Sequence, residues 1–145
     1  MKGGGVEHFV TRRQVEFADT DSGGVVHFSR YLIFMETAEH QFLASRGIDV
    51  DTRIQGKRVS WPRVSARCSY SRPLVFGDQI QIEVTVARCG RTSMTYAFVL
   101  RRGDEEVACG EMTSVCCVIE PDGRFTAIPI PEELSVRLDG GGSGS

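Results

Sequence analysis

Between Phe17 and Glu39 the chain reads FADTDSGGVVHFSRYLIFMETAE: two aspartates one residue apart, two glycines, then apolar residues at helical spacing. Carboxylates at Asp19 and Asp21 can hold a cation, carry a phosphoryl group, act as base or nucleophile, or cap a turn. A calcium loop starting at Asp19 needs an oxygen ligand at its fifth position and Glu at its twelfth. Those positions hold Gly23 and Arg30, so calcium is excluded. A phosphoryl-accepting Asp-x-Asp belongs at the end of a strand in a doubly wound parallel sheet, and the helices that alternate with strands in such a sheet are missing here. An acidic turn held by its own aspartates remains, and it serves structure as readily as chemistry.

The elements around this turn decide what it can do. Val6 to Phe17 reads as a first strand, with Val10, Val15 and Phe17 among polar neighbours. Residues 18–24, ADTDSGG, are turn chemistry. From Ser29 to Arg46, the stripe Tyr31, Phe34, Met35, Ala38 and Phe42 has the spacing of a buried helix face. Ser29 suits the N-cap and Gly47 the stop. Hydrophobic residues surround much of this helix, which predicts that it is enclosed.

Strands follow. Val59–Tyr70 carries Pro62, which places it at an edge or a bulge. In Gln79–Arg88, Ile80, Ile82, Val84 and Val86 alternate with polar residues, as in an antiparallel strand with one wet face. After a turn at Gly90-Arg91, residues 92–101 place Met94, Tyr96, Phe98 and Leu100 on one side. Gly103-Asp104 turns into Val107–Ile119, apolar or small on both faces and expected to be central. Pro121-Asp122-Gly123 turns again, Phe125–Ile128 returns, and Pro131–Leu138 closes with a turn or two of helix. One helix against a twisted antiparallel sheet is an α+β arrangement.

Bulk properties narrow the functions. A chain of 145 residues fits one domain, here 1–139, with Gly140–Ser145 (GGGSGS) set aside as a flexible linker remnant. The net charge of −2 argues against a nucleic-acid partner. MKGGGVEHF has no apolar run behind its lysine, so it is not read as a secretory leader, and no stretch is long and apolar enough to span a membrane. Cys68, Cys89, Cys109, Cys116 and Cys117 are odd in number and form no Cys-x-x-Cys pair. That excludes a disulfide framework or zinc site and fits a reducing cytoplasm. No metal or cofactor is expected.

The stretch resembles the 4-hydroxybenzoyl-CoA thioesterase family and its relatives among bacterial acyl-CoA thioesterases. Asp19, Asp21, Gly24, Val25, Val26, His27, Phe28, Tyr31 and Glu36 stand in register with that pattern. The likeness continues through Trp61-Pro62-Arg63-Val64, Phe76-Gly77-Asp78 and Gly90-Arg91-Thr92-Ser93, and covers roughly residues 8–133. It implies a hotdog fold, one long helix wrapped by a five- to six-stranded antiparallel sheet. It also implies hydrolysis of an acyl-CoA to a free acid and CoA, in a homodimer or homotetramer with sites between subunits. Asp21, the second aspartate, is the implied catalytic carboxylate, as nucleophile or general base, while Asp19 caps the turn.

The chemistry agrees with that assignment. Thioester hydrolysis needs a group that attacks or activates water, and donors aimed where the carbonyl oxygen becomes an oxyanion. Backbone N–H groups at Gly24, Val26, His27 and Phe28, near a helix N-terminus, are the expected donors. His27 either packs or makes a polar contact. Glu36 is a structural partner in the core or a reserve base. Glu39 and His40 are expected on a solvated or interface face. Arg91, Thr92 and Ser93 either meet the CoA nucleotide or form a plain solvated turn. Two other functions remain open: a hotdog dehydratase or hydratase, which would lack the Asp-x-Asp turn, and a non-catalytic acyl-CoA-binding hotdog protein, which would lack Asp21.

Overall fold

The computed structural model describes residues 8–49 and 51–138. Readings that concern residues 1–7 and 139–145, the linker included, lie outside them. The elements are β1 (His8–Gln14), a 3-10 turn (Phe17–Asp19), α1 (Arg30–Ser45), β2 (Arg53–Ile54), β3 (Lys57–Ser60), β4 (Arg63–Tyr70), β5 (Gln79–Cys89), β6 (Ser93–Arg102), β7 (Glu105–Val115), β8 (Cys117–Ile119), β9 (Phe125–Ala127) and α2 (Glu132–Leu138). The main sheet is antiparallel with order β1-β5-β6-β7-β4, and a smaller sheet runs β2-β3-β8-β9. This is the expected α+β hotdog arrangement.

The alternating strands behave as their patterns require. Ile80, Ile82 and Val84 of β5 and Met94, Tyr96, Phe98 and Leu100 of β6 all point inward. They meet Tyr31, Phe34, Met35, Ala38 and Phe42 of α1 in one apolar core. Gly110 of β7 lets two layers approach. A Cβ there would lie 2.4 Å from the Arg67 carbonyl of β4 and 2.7 Å from Met35 Cε of α1. Even alanine would push sheet and helix apart in an interior packed as densely as this.

Four expectations change. The first strand stops at Gln14, because Glu16 and Asp19 cap the 3-10 turn reciprocally and turn the chain out of the sheet. Val59–Tyr70 is two strands broken at Trp61-Pro62, where proline has no N–H to donate, and β4 is an edge of the main sheet as expected. Val107–Ile119 is interior in the main sheet but breaks at Cys116, after which β8 joins the small sheet. Finally, α1 is not enclosed. Ile33, Glu36, His40, Gln41 and Ala44 are exposed, because one sheet covers only one helix face. At its ends, Gly47 stops α1, its N–H donating to Ala44 O, but Ser29 has helical φ and ψ and makes no side-chain cap.

Candidate active site

The Asp-x-Asp pair divides into two roles. Asp19 is fully buried. Its Oδ2 accepts the Glu16 N–H at 2.8 Å, and its Oδ1 accepts Arg30 Nε at 3.0 Å with Arg30 Nη2 at 2.9 Å. Arg13 Nη2 stands 3.9 Å from Oδ2, its guanidinium 4.4 Å above the Phe34 ring. A carboxylate so surrounded fixes the turn to the start of α1. Asp19 therefore caps the turn, as expected, and the Arg30 clamp is a partner that nothing in the local spacing announces.

Asp21 faces solvent. Its Oδ1 accepts the Gly23 N–H at 2.8 Å, and no described residue bonds Oδ2. The backbone holds the turn closed: Asp21 N–H donates to Val25 O (2.8 Å) and Gly24 N–H to Asp21 O (3.0 Å). Gly24 adopts φ +84°, a left-handed conformation glycine takes without penalty. This carboxylate is thus aimed and accessible, with one oxygen uncommitted.

The expected oxyanion donors narrow to one. Val26 N–H donates to Leu74 O at 2.8 Å and His27 N–H to Asp19 O at 2.9 Å, so neither is available. Gly24 N–H is likewise occupied within the turn. These residues precede α1 and zip the turn onto its neighbours, so their amides are not the open end of a helix. Phe28 N–H alone among the four has no acceptor among the described residues. Its carbonyl accepts Tyr70 Oη at 2.9 Å, and its ring, 66% exposed, stacks 4.5 Å from His27. His27 Nδ1 lies 2.8 Å from Ser29 Oγ, a polar contact within the loop.

Beside Phe28 runs a cleft of about 340 Å³ bordered by Tyr31, Tyr70, Arg72 and Pro73. The Tyr31 and Tyr70 rings meet edge to face at 4.9 Å. Burial raises the pKa of both phenols, so each stays a neutral donor. Tyr70 was not singled out in the sequence, and an aromatic at the exposed end of an edge strand is a weak signal.

The remaining candidates stand elsewhere. Glu36 is exposed on α1, 3.5 Å from Arg63 Nη2, so it is a surface partner rather than a core one. Glu39 is buried, contrary to expectation, because Arg63 at the start of β4 places Nη1 2.7 Å from its Oε1. Burial raises the Glu39 pKa, and the Arg63 charge opposes that rise. His40 is exposed. Arg91 is exposed between β5 and β6, where Ile130 N–H holds Arg91 O and Cys116 N–H holds Thr92 O, both as backbone bonds. Ser93 opens β6. The Asp21 turn sits by Val75, at the Gln79 end of β5, whereas Arg91 follows the Cys89 end. At about 3.3 Å per strand residue the two lie roughly 30 Å apart in one chain.

Comparisons with known proteins bear on the family and the fold. A 1,4-dihydroxy-2-naphthoyl-CoA hydrolase of Microcystis aeruginosa is 33% identical over 122 residues, covering 84% of this chain and 86% of the relative. The structure of a gentisyl-coenzyme A thioesterase superposes with TM-score 0.79 at 25% identity, covering 90% of this chain and 99% of the other. A 4-hydroxybenzoyl CoA thioesterase mutant bound to 4-hydroxybenzoyl CoA shares the fold, with TM-score 0.80 at 20% identity, covering 91% of this chain and 99% of the other. The model of the thioesterase-like superfamily matches residues 15–138, nearly every residue described above, and the chain belongs to that superfamily.

Proposed function

We propose that the chain hydrolyses the thioester of an acyl-CoA, releasing a carboxylic acid and CoA, with Asp21 as the reacting carboxylate. The observation that carries this reading is the contrast within Asp19-x-Asp21: one carboxylate is locked away, the other exposed with a free oxygen. As a base, that oxygen takes a proton from water while the hydroxide adds to the carbonyl and the CoA thiolate leaves. As a nucleophile, it adds to the carbonyl, expels the thiolate and leaves a mixed anhydride for water to open. Phe28 N–H supplies the oxyanion donor in either path, an effect worth ~10²–10³ in rate. The aromatic cleft of Phe28, Tyr31 and Tyr70 favours an aryl acyl group, and the hydroxyaryl-CoA relatives support the same choice.

The site is shared between copies of the chain. The Arg91 side chain is exposed and makes no hydrogen bond or ion pair with the described residues, which leaves it available to a phosphate, yet it lies at the far end of the sheet from Asp21 of its own chain. A second copy is needed to bring Arg91, with Thr92 and Ser93, to the CoA nucleotide. Strand β4 presents one unpaired edge through which copies can join. A homodimer or homotetramer in the cytoplasm is the proposed working form, the location resting on five cysteines that form no disulfide with one another.

Free-thiol release from aryl, short-chain and long-chain acyl-CoAs tests the activity, with light scattering on the same sample for assembly. Turnover of aryl-CoAs that is lost in Asp21→Asn supports the reading. Equal turnover by wild type and Asp21→Asn refutes the mechanism, and a fully active monomer refutes the shared site.

A further inference from the structure

Phe28, whose N–H is the open oxyanion donor, sits where the turn hands the chain to α1. Its ring is 66% exposed, and the next residue, Ser29, makes no side-chain cap. The peptide that carries the Phe28 N–H is gripped on its other side, where His27 O accepts Arg30 N–H at 2.9 Å. In a trans peptide the N–H and C=O point in opposite directions, so this bond turns the Phe28 N–H away from the start of the helix. The following peptide needs an anchor of its own. Its carbonyl is tied to the sheet by Tyr70 Oη, which donates to Phe28 O at 2.9 Å across 42 positions of sequence.

Tyr70 is built to hold still. It ends β4 opposite Ala108 of β7, and just beyond it Ser71 N–H donates to Val107 O at 2.9 Å, so the ladder fixes its backbone on both sides. Its ring meets Tyr31 edge to face at 4.9 Å, and Tyr31, in the first turn of α1, is buried. Sheet and helix therefore both brace the hydroxyl that reaches Phe28. Such bracing matters for an oxyanion donor more than for an ordinary amide. The donor acts only where it stands about 2.7–3.1 Å from the position the charged oxygen will occupy, and only if it is held there beforehand. A misplacement of about 1 Å can cost ~100-fold in rate.

We propose that Tyr70 is a positioning residue: its hydroxyl, by holding Phe28 O, keeps the Phe28 N–H aimed at the thioester oxygen. The inference rests on the thioesterase reading above and deepens it. Ring and hydroxyl of Tyr70 then have separate tasks, the ring bordering the aromatic cleft and the hydroxyl setting the donor. The donor's bond strengthens as charge develops, so loss of the hydroxyl falls on kcat, whereas loss of the ring falls on substrate binding as well.

Tyr70→Phe removes the hydroxyl and keeps the ring. With benzoyl-CoA its kcat should fall ~10-fold, a fraction of what a whole donor supplies, while KM and Tm stay at the wild-type values. Tyr70→Leu should lower kcat as far and raise KM too. A second readout does not need turnover. The chain has eight phenylalanines, so labelling with ¹⁵N-phenylalanine leaves the Phe28 amide among few signals. Phenacyl-CoA, a ketone that cannot be hydrolysed, should move that amide proton downfield in the full-length wild type and much less in Tyr70→Phe. Wild-type kcat in Tyr70→Phe, a loss of rate matched by a loss of Tm, or equal amide shifts in the two proteins would each overturn the proposal. A wild type that leaves benzoyl-CoA intact would instead count against the thioesterase reading, and the amide shifts would still decide whether Tyr70 sets the donor.

Discussion

The turn before α1 and the body of the helix carry carboxylates in opposite settings. In the turn, Asp21 is open to solvent beside two glycines, its position fixed by backbone bonds and not by a counter-ion. Further along, Glu39 is closed off against Arg63 in the wall of a cleft. Asp19 belongs with Glu39 in this respect, although it is two residues from Asp21. A carboxylate meant to react must be reachable and keep an oxygen uncommitted, whereas one meant to hold structure is surrounded by cations and buried. Accessibility, and not distance along the chain, separates the roles.

The sharpest break of that comparison is to remove the cation and leave the buried charge. Arg30→Ala and Arg63→Ala each strand a buried carboxylate, at a cost of about 3–5 kcal/mol. For a chain of this size that lowers Tm by roughly 10 °C in calorimetry. The Arg63→Ala loss should also depend on pH. Burial already raises the Glu39 pKa, and without Arg63 it rises further. An acid whose folded pKa exceeds its unfolded one favours the fold when protonated and loses that contribution as pH rises. The deficit of Arg63→Ala should therefore be largest above neutrality and shrink on acidification through the folded pKa. A pH-independent deficit would assign the loss to packing alone.

Asp21→Asn should do the reverse of those two. We expect kcat to fall at least ~100-fold, equivalent to about 2.7 kcal/mol, with Tm and assembly unchanged. A Tm as low as that of Arg30→Ala would place Asp21 among the structural carboxylates.

Arg91→Ala should have a smaller effect. It should raise KM for acyl-CoA several-fold with kcat kept, because the contact is the same in ground and transition states. The effect should weaken at high salt and vanish for an acyl-pantetheine that lacks the nucleotide. An equal KM change for both substrates would make Arg91 a plain turn residue.

The smallest effect belongs to the surface. Hydrogen bonds from Arg102 hold the Glu105 pKa down, with Arg72 adding to this. A depressed folded pKa contributes stability above the unfolded value and loses it as pH falls through the folded one. The melting curves of wild type and Glu105→Gln should differ slightly at neutral pH and converge as pH falls through the lowered Glu105 pKa.

Local pattern was enough wherever neighbours in sequence are neighbours in space. The period-two runs of β5 and β6 set which side chains point inward, and the stripe from Tyr31 to Phe42 set the buried face of α1, since one apolar face leaves a strand or helix a single way to pack. The Asp-x-Asp-x-Gly-Gly turn and the stop at Gly47 follow from chemistry within a few residues. The residues of the turn were legible for the same reason, but their division of labour was not.

That division depends on partners distant in sequence. Asp19 is buried because Arg30 reaches back eleven positions, and Glu39 because Arg63 arrives from β4. The amides of Val26 and His27 are occupied because the Leu74 and Asp19 carbonyls lie against them. Only Phe28 escapes, and no propensity foretells it. The sequence alone determined the order and type of the main elements, the core faces and the turn that holds the carboxylates. The tertiary structure decided which carboxylate and which amide stay free, because hydrogen bonds and burial are settled only when distant segments meet.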